Sequence, residues 1–369
     1  MNTASVRAMV LTGDRSFALE EFARPRVGAD DALLRVEACG ICGSDVEQYD
    51  GHLAAMGHVR YPFIPGHEPI GILEEIGDRA AERWGVRRGD RVAVEPLIPC
   101  LACEACRDGR RTECSGWGRV YSYGLLETSI EPSLLGAYAE LLYLHPNSVV
   151  HPVSSALPVH VAVMFNPVGA GVRWACHASD LGLGDTVVIL GAGQRGLACL
   201  IAARAAGAGM AIVTDVAAAS NKLDLAVELG ADAVIVVDQE EPVQRVHELT
   251  AGRLADVVVD VSAMATQPVL DAIGMVRRGG TIVLAGVKGG REVAGFVSDE
   301  LVFKSITMRG VFTVDSRAYR EAIRLIERDV TLFGRLHTRS YPLEAAEEAI
   351  LHLAGRTGAP PAVHVAIVP

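Results

Sequence analysis

The spacing of hydrophobic residues changes character near the middle of the chain. Up to about residue 155, short apolar runs are separated by glycine, proline and aspartate, which is typical of strands in an irregular β region. Clear examples are Ala32–Ala38, Gly71–Ile76 and Arg91–Val94. The N-terminal part of the chain is therefore expected to be mainly β.

From about residue 185 the pattern predicts strands that alternate with helices. The run Thr186–Leu190 is apolar and β-branched, and a glycine-rich turn and an apolar-faced helix follow it. Such alternation is typical of a parallel sheet with helices on both faces. The further predicted strands are Ala211–Thr214, Ala233–Val237, Val257–Val261 and Thr281–Ala285, and the predicted helices are Ser220–Leu229, Val243–Leu249 and Pro268–Met275.

The C-terminal segment predicts two more helices, Arg317–Arg328 and Leu343–Leu353, and a last strand, Ala362–Val368. This strand has no obvious place in the parallel sheet, so we expect it to return to the first domain. The expected domains are residues 1–160, completed by about 312–369, and residues 161–311.

Composition narrows the class of protein. A length of 369 residues fits about two domains, and half of the residues are hydrophobic. The net charge of −11 and the shortness of the basic clusters argue against a nucleic-acid partner. No apolar run approaches the roughly 18 residues of a membrane span, and the first residues do not resemble a signal peptide. We therefore expect a cytoplasmic protein without a membrane partner.

Four of the eight cysteines crowd into one short segment with the spacing C-x2-C-x2-C-x7-C. In a reducing compartment, clustered cysteines more often bind metal than form disulfides. Four thiolates complete a tetrahedral zinc site that has no open position, so such a zinc would be structural. An iron–sulfur cluster, which also uses four cysteines, and four unrelated thiols are the alternatives. The cysteines are Cys100, Cys103, Cys106 and Cys114.

Residues 191–196 read Gly-Ala-Gly-Gln-Arg-Gly and match the dinucleotide motif G-x-G-x-x-G. The motif is weak alone, but here it lies between a strand and a helix, with Asp215 at the end of the next strand. Its glycines would permit the turn, the approach of a pyrophosphate and close helix packing. A carboxylate at 215 favours NAD over NADP, while the cations Arg195 and Lys222 keep NADP as the less favoured alternative. The residues expected to bind the dinucleotide are Gly191, Gly193, Gln194, Arg195, Gly196 and Asp215.

Two short motifs remain, Gly-Ile-Cys-Gly-Ser-Asp at 40–45 and Gly-His-Glu at 66–68. Cys42 and His67 are both good zinc ligands, but a catalytic zinc usually takes three protein ligands. Taken singly, each of the two could equally be an ordinary buried residue.

In this order and at this spacing, the two motifs, the cysteine segment and the glycine turn resemble the zinc-dependent medium-chain dehydrogenases. This family includes alcohol, sorbitol, threonine and butanediol dehydrogenases, and the resemblance extends over nearly the whole chain. It implies an α/β architecture in which a GroES-like catalytic domain is joined to a doubly wound Rossmann domain. It also implies a homodimer or homotetramer that associates through the edge of the Rossmann sheet.

The resemblance implies roles for the N-terminal motifs. Cys42 and His67 would bind a catalytic zinc, and Glu68 would be a nearby carboxylate that can bind or leave the metal. Asp45 would accept a hydrogen bond from His67 and orient it. Ser44 would be the first stop of a proton relay from the substrate alcohol.

Two positions depart from the family pattern. Where relatives carry a Cys, Glu or Asp as third zinc ligand, this chain has Asn166, whose neutral amide is a weaker ligand. We expect Glu68 to be the third ligand, with Asn166 close to the metal. The second departure is Glu47, where many relatives carry a histidine that ends the proton relay. A partly solvated carboxylate there could accept the proton, His52 is a less favoured substitute, and a surface role for Glu47 is equally open.

The resulting hypothesis is an oxidoreductase with one catalytic and one structural zinc. It would transfer a hydride between NAD and a secondary alcohol, diol or polyol, or the matching ketone. The alternatives are a zinc-independent quinone or double-bond reductase of the same superfamily and a non-catalytic zinc-binding protein on this scaffold. Aromatic and apolar residues that could either line a substrate pocket or belong to the core are Tyr49, Trp117, Tyr121, Met164 and Phe165.

Overall fold

The computed structural model describes residues 5–369. Residues 1–4, part of the segment considered above as a leader peptide, lie outside the described residues. The chain divides into two compact units, one formed by Met1–Asn166 with Asp315–Pro369 and the other by Pro167–Val314. The first unit is thus discontinuous in sequence.

The N-terminal part of the first unit is mostly β. Its strands are β1 (Ser5–Gly13), β2 (Ser16–Ala23), β3 (Ala32–Gly40), β4 (Glu68–Ile76), β5 (Arg91–Val94), β6 (Leu141–Leu144) and β7 (Val150–Pro152). Between and after them lie short helices, α1 (Gly43–Tyr49), α2 (His52–Ala55), α3 (Asp78–Trp84), α4 (Glu104–Arg107) and α5 (Val159–Ala162). A further helix, α6 (Phe165–Val172), begins in the first unit and continues into the second. A π-helical turn, Arg173–His177, continues from α6 in the second unit.

The second unit alternates strands and helices as predicted. Its strands are β8 (Thr186–Leu190), β9 (Met210–Asp215), β10 (Ala233–Val236), β11 (Ala255–Asp260), β12 (Val276–Leu284) and β13 (Thr307–Gly310). The helices are α7 (Gln194–Ala205), α8 (Ser220–Glu228), α9 (Pro242–Leu249), α10 (Gln267–Met275) and α11 (Asp299–Lys304). The strands form one parallel sheet in the order β10-β9-β8-β11-β12-β13. This is the Rossmann order, in which the chain reverses direction across the sheet between the first and fourth strands.

The C-terminal segment completes the first unit with α12 (Ser316–Arg328), α13 (Val330–Gly334), β14 (His337–Pro342), α14 (Ala346–Leu353) and β15 (His364–Val368). A 3-10 turn, Leu343–Ala345, precedes α14, so the helix predicted from residue 343 starts three residues later as an α-helix. The last strand pairs with β14 and runs antiparallel to β3, where Ala366 lies opposite Gly40. The expectation that it returns to the first domain is confirmed.

Each unit has its own hydrophobic core. In the first unit, the seven-stranded sheet β14-β15-β3-β4-β5-β7, with β6 on β3, contributes Leu33, Leu34 and Val365 among many buried residues. In the second unit, the parallel sheet and α10 bury Val188, Val258 and Ile282. In the second unit, β8, β9 and β11 are buried over nearly their whole length, as expected for a parallel sheet covered on both faces. No helix among residues 5–369 is both long and apolar enough to span a membrane.

Candidate metal and dinucleotide sites

The four clustered cysteines converge in the first unit. The four sulfur atoms, one from each cysteine, all lie within 4.8 Å of one another. Short turns of helix, α4 and a 3-10 turn at Arg111–Glu113, bring the last two cysteines back toward the first two. All eight cysteines of the chain lie in the described residues, and none of them forms a disulfide. The cysteines are Cys100, Cys103, Cys106 and Cys114.

Backbone N–H groups point at the sulfur atoms of this cluster. The amides of Ala102 and Cys103 donate to Sγ of Cys100 at 3.4 and 3.2 Å, and the amide of Cys100 donates to Sγ of Cys114 at 3.2 Å. Backbone donors lower the pKa of Cys103 to about 6, whereas burial raises the pKa of Cys106 to about 12. Amide donors favour thiolates, and four adjacent thiolates require a cation, so the cluster fits a tetrahedral metal ion.

A second set of ligand atoms gathers around the start of α1. Cys42 immediately precedes this helix, while Glu68 is the first residue of β4 and His67 directly precedes it. Because Gly40 and Glu68 are paired across β3 and β4, the two motifs are brought side by side. One ligand atom from each of Cys42, His67 and Glu68 lies within 4.8 Å of the other two. Thiolate, imidazole and carboxylate in one cluster are a donor set that suits zinc.

Asp45 ties the two motifs together. Its Oδ2 accepts a hydrogen bond from the backbone N–H of Cys42 at 2.7 Å, and its Oδ1 lies 3.4 Å from Nδ1 of His67. Burial lowers the pKa of His67, but the neighbouring Asp45 and Cys42 outweigh this effect and raise the pKa well above its usual range. An acceptor on Nδ1 leaves Nε2 as the nitrogen that can bind a metal.

The two residues expected to relay protons have different neighbours. The Ser44 hydroxyl lies 3.3 Å from Nε2 of His67, beside the ligand cluster. Glu47 lies one turn further along α1 and is 2.6 Å from Nδ1 of His52, a half-exposed side chain. Within residues 5–369, Ser44 and Glu47 share no hydrogen bond, so a proton passing between them would need a substrate, cofactor or water as intermediate.

Asn166 is buried at the start of α6 in the first unit. Its Nδ2 donates to the hydroxyl of Tyr319 at 3.0 Å, and Tyr319 also packs against Phe165 and His151. The amide is therefore held in a defined orientation by α12. No sequence pattern indicated Tyr319, because the contact joins residues 153 positions apart.

The glycine turn of the second unit lies between β8 and α7. Gly191 has a φ of 111°, which favours glycine, and a Cβ on Gly196 would lie 1.8 Å from the carbonyl oxygen of Gly191. A Cβ on Gly193 would meet no atom within 4 Å, so the backbone faces open space there. The turn lies at the switch point of the sheet, next to Val261 after β11. An open, N–H-rich turn at the start of a helix fits the pyrophosphate of a dinucleotide.

Three side chains surround this turn. Asp215 accepts hydrogen bonds from the backbone N–H of Ala192 and of Val216 at 2.7 and 2.8 Å. Burial lowers the pKa of Lys222, and the charge of Asp215 partly offsets this. The guanidinium of Arg195 lies 5.3 Å from the centre of the Trp174 ring, on the π-helical turn. Asp215 therefore supports the turn itself, a role that the motif did not reveal, and still has acceptor capacity.

Comparison with known proteins decides the family. Residues 28–155 match the model of the alcohol dehydrogenase GroES-like domain, and residues 196–328 match that of the zinc-binding dehydrogenases. A probable alcohol dehydrogenase of Mycobacterium tuberculosis is 43% identical over 99% of both chains. The chain belongs to the zinc-type medium-chain dehydrogenases. It is therefore an oxidoreductase, and its GroES-like and Rossmann-like architecture is confirmed.

Other medium-chain dehydrogenases are similar over the same length. The erythritol/L-threitol dehydrogenase of Mycolicibacterium smegmatis is 30% identical over 94% of this chain and 93% of its own. The solved structure of an alcohol dehydrogenase from Thermotoga maritima superimposes with a TM-score of 0.88 at 27% identity, covering 99% of this chain and 100% of that one.

Two buried residues of this medium-chain dehydrogenase, Tyr138 and His364, lie beside the metal-ligating cluster and were not predicted from the sequence. Tyr138 is fully buried, and burial together with the charges of Asp45 and Glu68 raises the pKa of its hydroxyl well above the usual range. His364 is equally buried, on β15. Neither belongs to a short motif, so only the pairing of distant strands brings them to the cluster.

The aromatic residues considered for a substrate pocket have structural partners. Tyr49 stacks on Phe17, and its hydroxyl donates to Glu347. Trp117 stacks on Tyr121 at 4.5 Å, and its indole N–H donates to the carbonyl of Ile98. Met164 and Phe165 are fully buried. These contacts account for the side chains as parts of the packed structure.

Proposed function

We propose that the protein is a zinc-dependent dehydrogenase that oxidises a secondary alcohol, diol or polyol with NAD, or reduces the matching ketone. The observation that carries this proposal is the convergence of Cys42, His67 and Glu68, whose ligand atoms lie within 4.8 Å of one another. In the proposed architecture, residues 1–160 with about 312–369 form the catalytic domain and residues 161–311 bind the dinucleotide.

Cys42, His67 and Glu68 would hold the catalytic metal. Zinc bound there would act as a Lewis acid on the substrate oxygen. Glu68 is our choice for the third ligand because its carboxylate belongs to the cluster, whereas Asn166 offers a neutral amide whose nitrogen already donates to Tyr319. The four-cysteine cluster would hold a second, structural zinc that has no position open to substrate.

The side chains around the cluster have distinct proposed roles. Asp45, whose Oδ1 lies 3.4 Å from Nδ1 of His67, would accept from that nitrogen and leave Nε2 to bind the metal. Ser44, beside His67, would accept the proton of the substrate alcohol at its Oγ. Glu47, paired with His52 near the surface, would receive that proton through an intervening group.

The glycine turn and Asp215 would bind NAD, whose nicotinamide accepts the hydride from the carbinol carbon. Open space at Gly193 supports an approach of the pyrophosphate, with Gly191, Gln194, Arg195 and Gly196 around it. A carboxylate at 215 can accept hydrogen bonds from ribose hydroxyls and repels a 2′-phosphate. NAD is therefore favoured over NADP.

The substrate class rests on relatives. An alcohol dehydrogenase and an erythritol/threitol dehydrogenase are similar over nearly the full chain. Both names fit a substrate with a carbinol group, and they leave simple alcohols and polyols as the classes to be compared. A small-molecule alcohol or ketone is thus the proposed partner.

We also propose that the chain associates with copies of itself through the edge strand β13. Exposed apolar side chains flank this strand, which ends the parallel sheet. Val302, Phe303 and Phe312 are 73%, 67% and 58% exposed, a degree of exposure that is uncommon for clustered large apolar residues. Light scattering would distinguish a dimer from a tetramer.

The direct test is a panel of secondary alcohols, diols and polyols assayed with NAD and with NADP, together with zinc counting. We expect turnover with NAD and two zinc ions per chain. One zinc per chain with turnover of quinones or activated double bonds would favour the zinc-independent reductase. One zinc and no turnover at all would favour a non-catalytic zinc-binding protein.

A further inference from the structure

A buried histidine nitrogen borders the same small space as the proposed metal-binding carboxylate. His364 is fully buried, and its Nε2 has no hydrogen-bond partner within residues 5–369. A Cβ built on Gly40 would lie 3.4 Å from this nitrogen and 2.7 Å from Oε2 of Glu68. Because Gly40 has no side chain, the carboxylate and the imidazole both border the space that a side chain at this position would fill.

The other nitrogen of His364 belongs to a chain of polar contacts that leads to the surface. Its Nδ1 lies 3.1 Å from Nδ1 of His337, and Nε2 of His337 lies 3.0 Å from the hydroxyl of Ser340. Two ring nitrogens at this distance can share only one proton, so one of the two Nδ1 atoms donates and the other accepts.

Only one direction of this chain suits the carboxylate at its inner end. If His337 donates from Nδ1, His364 accepts at Nδ1 and carries its proton on Nε2, facing Glu68; Ser340 then donates to Nε2 of His337. In the opposite direction, a nitrogen lone pair of His364 would face a carboxylate oxygen, and the two acceptors would repel each other. The favoured direction thus runs from Ser340 through His337 and His364 toward Glu68.

We propose that His364 is a positioning residue: with a metal on Oε1 of Glu68, its Nε2, which makes no hydrogen bond within residues 5–369, would donate to Oε2 and so hold Oε1 toward the metal. This proposal rests on the proposed function, because it assigns Glu68 as the third ligand. Oε1 already lies on the metal side, 3.9 Å from Nε2 of His67, while Oε2 lies on the Gly40 side. A buried N–H donor orients a ligating carboxylate and keeps it ionised.

The test compares zinc affinity in variants of the full-length protein by competition with a chromogenic chelator. His364→Leu removes the donor, and we expect the affinity of the Cys42 site to fall by about tenfold to a hundredfold. His364→Gln, which keeps an N–H, should recover part of that loss. His160→Leu is the matched control: its exposed ring packs against His337 at 5.2 Å but does not take part in the chain, and its affinity should be unchanged. The zinc of the cysteine cluster is an internal reference.

Repeating His364→Leu in a Glu68→Gln variant tests whether His364 acts through the carboxylate of Glu68. If His364 acts through the carboxylate, His364→Leu should cost little further affinity there. An equal loss in both backgrounds would overturn the proposal. So would an unchanged affinity in His364→Leu, provided that the variant melts as a folded protein.

A second readout needs no metal. Nitrogen-15 NMR of histidine-labelled protein, assigned by comparison with His364→Gln, reports which nitrogen of His364 is protonated. We expect the proton on Nε2; a proton on Nδ1 would overturn the proposal whatever the metal content. A wild-type chain that holds only the structural zinc would overturn the proposed function, and the protonation of His364 would still decide the contact with Glu68.

Discussion

The two metal-ligating regions of the first unit are built in opposite ways. The cluster Cys100, Cys103, Cys106 and Cys114 comes from one segment of 15 residues and is uniform in chemistry. The cluster Cys42, His67 and Glu68 joins the start of a helix to the start of a strand and combines three kinds of ligand. Local spacing suffices for the first, whereas the second depends on the pairing of β3 with β4.

The difference extends to the groups around the ligands. Backbone N–H groups donate hydrogen bonds to sulfur atoms of the cysteine cluster. These groups stabilise thiolates but cannot accept or release a proton during a reaction. Side chains with acid–base chemistry surround the other cluster, among them Asp45 and Ser44. A structural metal site binds no substrate, so the loop that carries its four cysteines is sufficient to form it. A catalytic metal site must bind and release substrate, so it also needs side chains from other parts of the unit to orient its ligands.

The substitution Cys42→Ser tests most strongly whether the two clusters have different roles. Because the catalytic metal contributes several kcal/mol to the transition state, we expect turnover of the best alcohol to fall by at least about a thousandfold, with little change in melting temperature. Steady-state kinetics and calorimetry on the same preparation measure both. Wild-type turnover in a variant verified to lack the second zinc would contradict the account.

Cys103→Ser is the matched substitution in the other cluster. Loss of a structural metal is among the most destabilising changes in a protein. We expect the free energy of unfolding to fall by about 3 kcal/mol or more, with early proteolysis near residue 103. The fraction of molecules that remains folded should keep its turnover. A folded Cys103→Ser protein that is as inactive as Cys42→Ser would erase the distinction between the two clusters.

Asp45→Asn tests the support of the catalytic cluster. An amide can still accept from the N–H of Cys42 but lacks the charge that faces His67, so activity or metal affinity should fall by about tenfold to a hundredfold. Asp50→Asn is the control, since Asp50 directly follows α1 and pairs with Arg15 and Arg356, away from the ligand cluster. Equal effects of the two substitutions would show that Asp45 acts only on stability.

Asp215→Asn examines the dinucleotide turn. The amide oxygen can still accept from Ala192, while the hydrogen bond from Val216 and the charge that repels a 2′-phosphate are lost. We expect the preference for NAD over NADP, expressed as a ratio of kcat/KM values, to fall by about tenfold, corresponding to about 1.4 kcal/mol. An unchanged ratio would mean that Asp215 supports the turn but does not select the cofactor.

The smallest effect is expected for Asn166→Leu. If Glu68 is the third ligand, loss of the amide removes the hydrogen bond to Tyr319 but leaves the metal, and zinc affinity should change by less than about threefold. Loss of the second zinc in this variant would instead show that Asn166 is a ligand of the catalytic metal.

The sequence was most informative where chemistry is local. The strands Thr186–Leu190 and Arg91–Val94 were predicted with the bounds that the structure has, since both are short apolar runs between turn residues. The cysteine cluster follows from spacing alone. The turn at 191–196 was predicted from its motif and context, although the hydrogen bond from Ala192 to Asp215 was not.

What the sequence did not reveal depends on distant pairings. His364 reaches Gly40 and Glu68 because β15 is added beside β3, and Tyr319 reaches Asn166 from α12. The π-helical turn at Arg173–His177 has no hydrophobic period that could have indicated it. Single histidines, tyrosines and amides carry no signal until the fold is known, because each is compatible with an ordinary buried position.

The central claim is that Cys42, His67 and Glu68 hold a metal distinct from that of the cysteine cluster. An anomalous difference map from crystals of the purified protein, recorded at the zinc absorption edge, tests it most directly. We predict two peaks per chain, one among the four cysteine sulfurs and one at about 2.0–2.3 Å from ligand atoms of Cys42, His67 and Glu68. A single peak at the cysteine cluster, or a second peak bound by Asn166 in place of Glu68, would contradict the account.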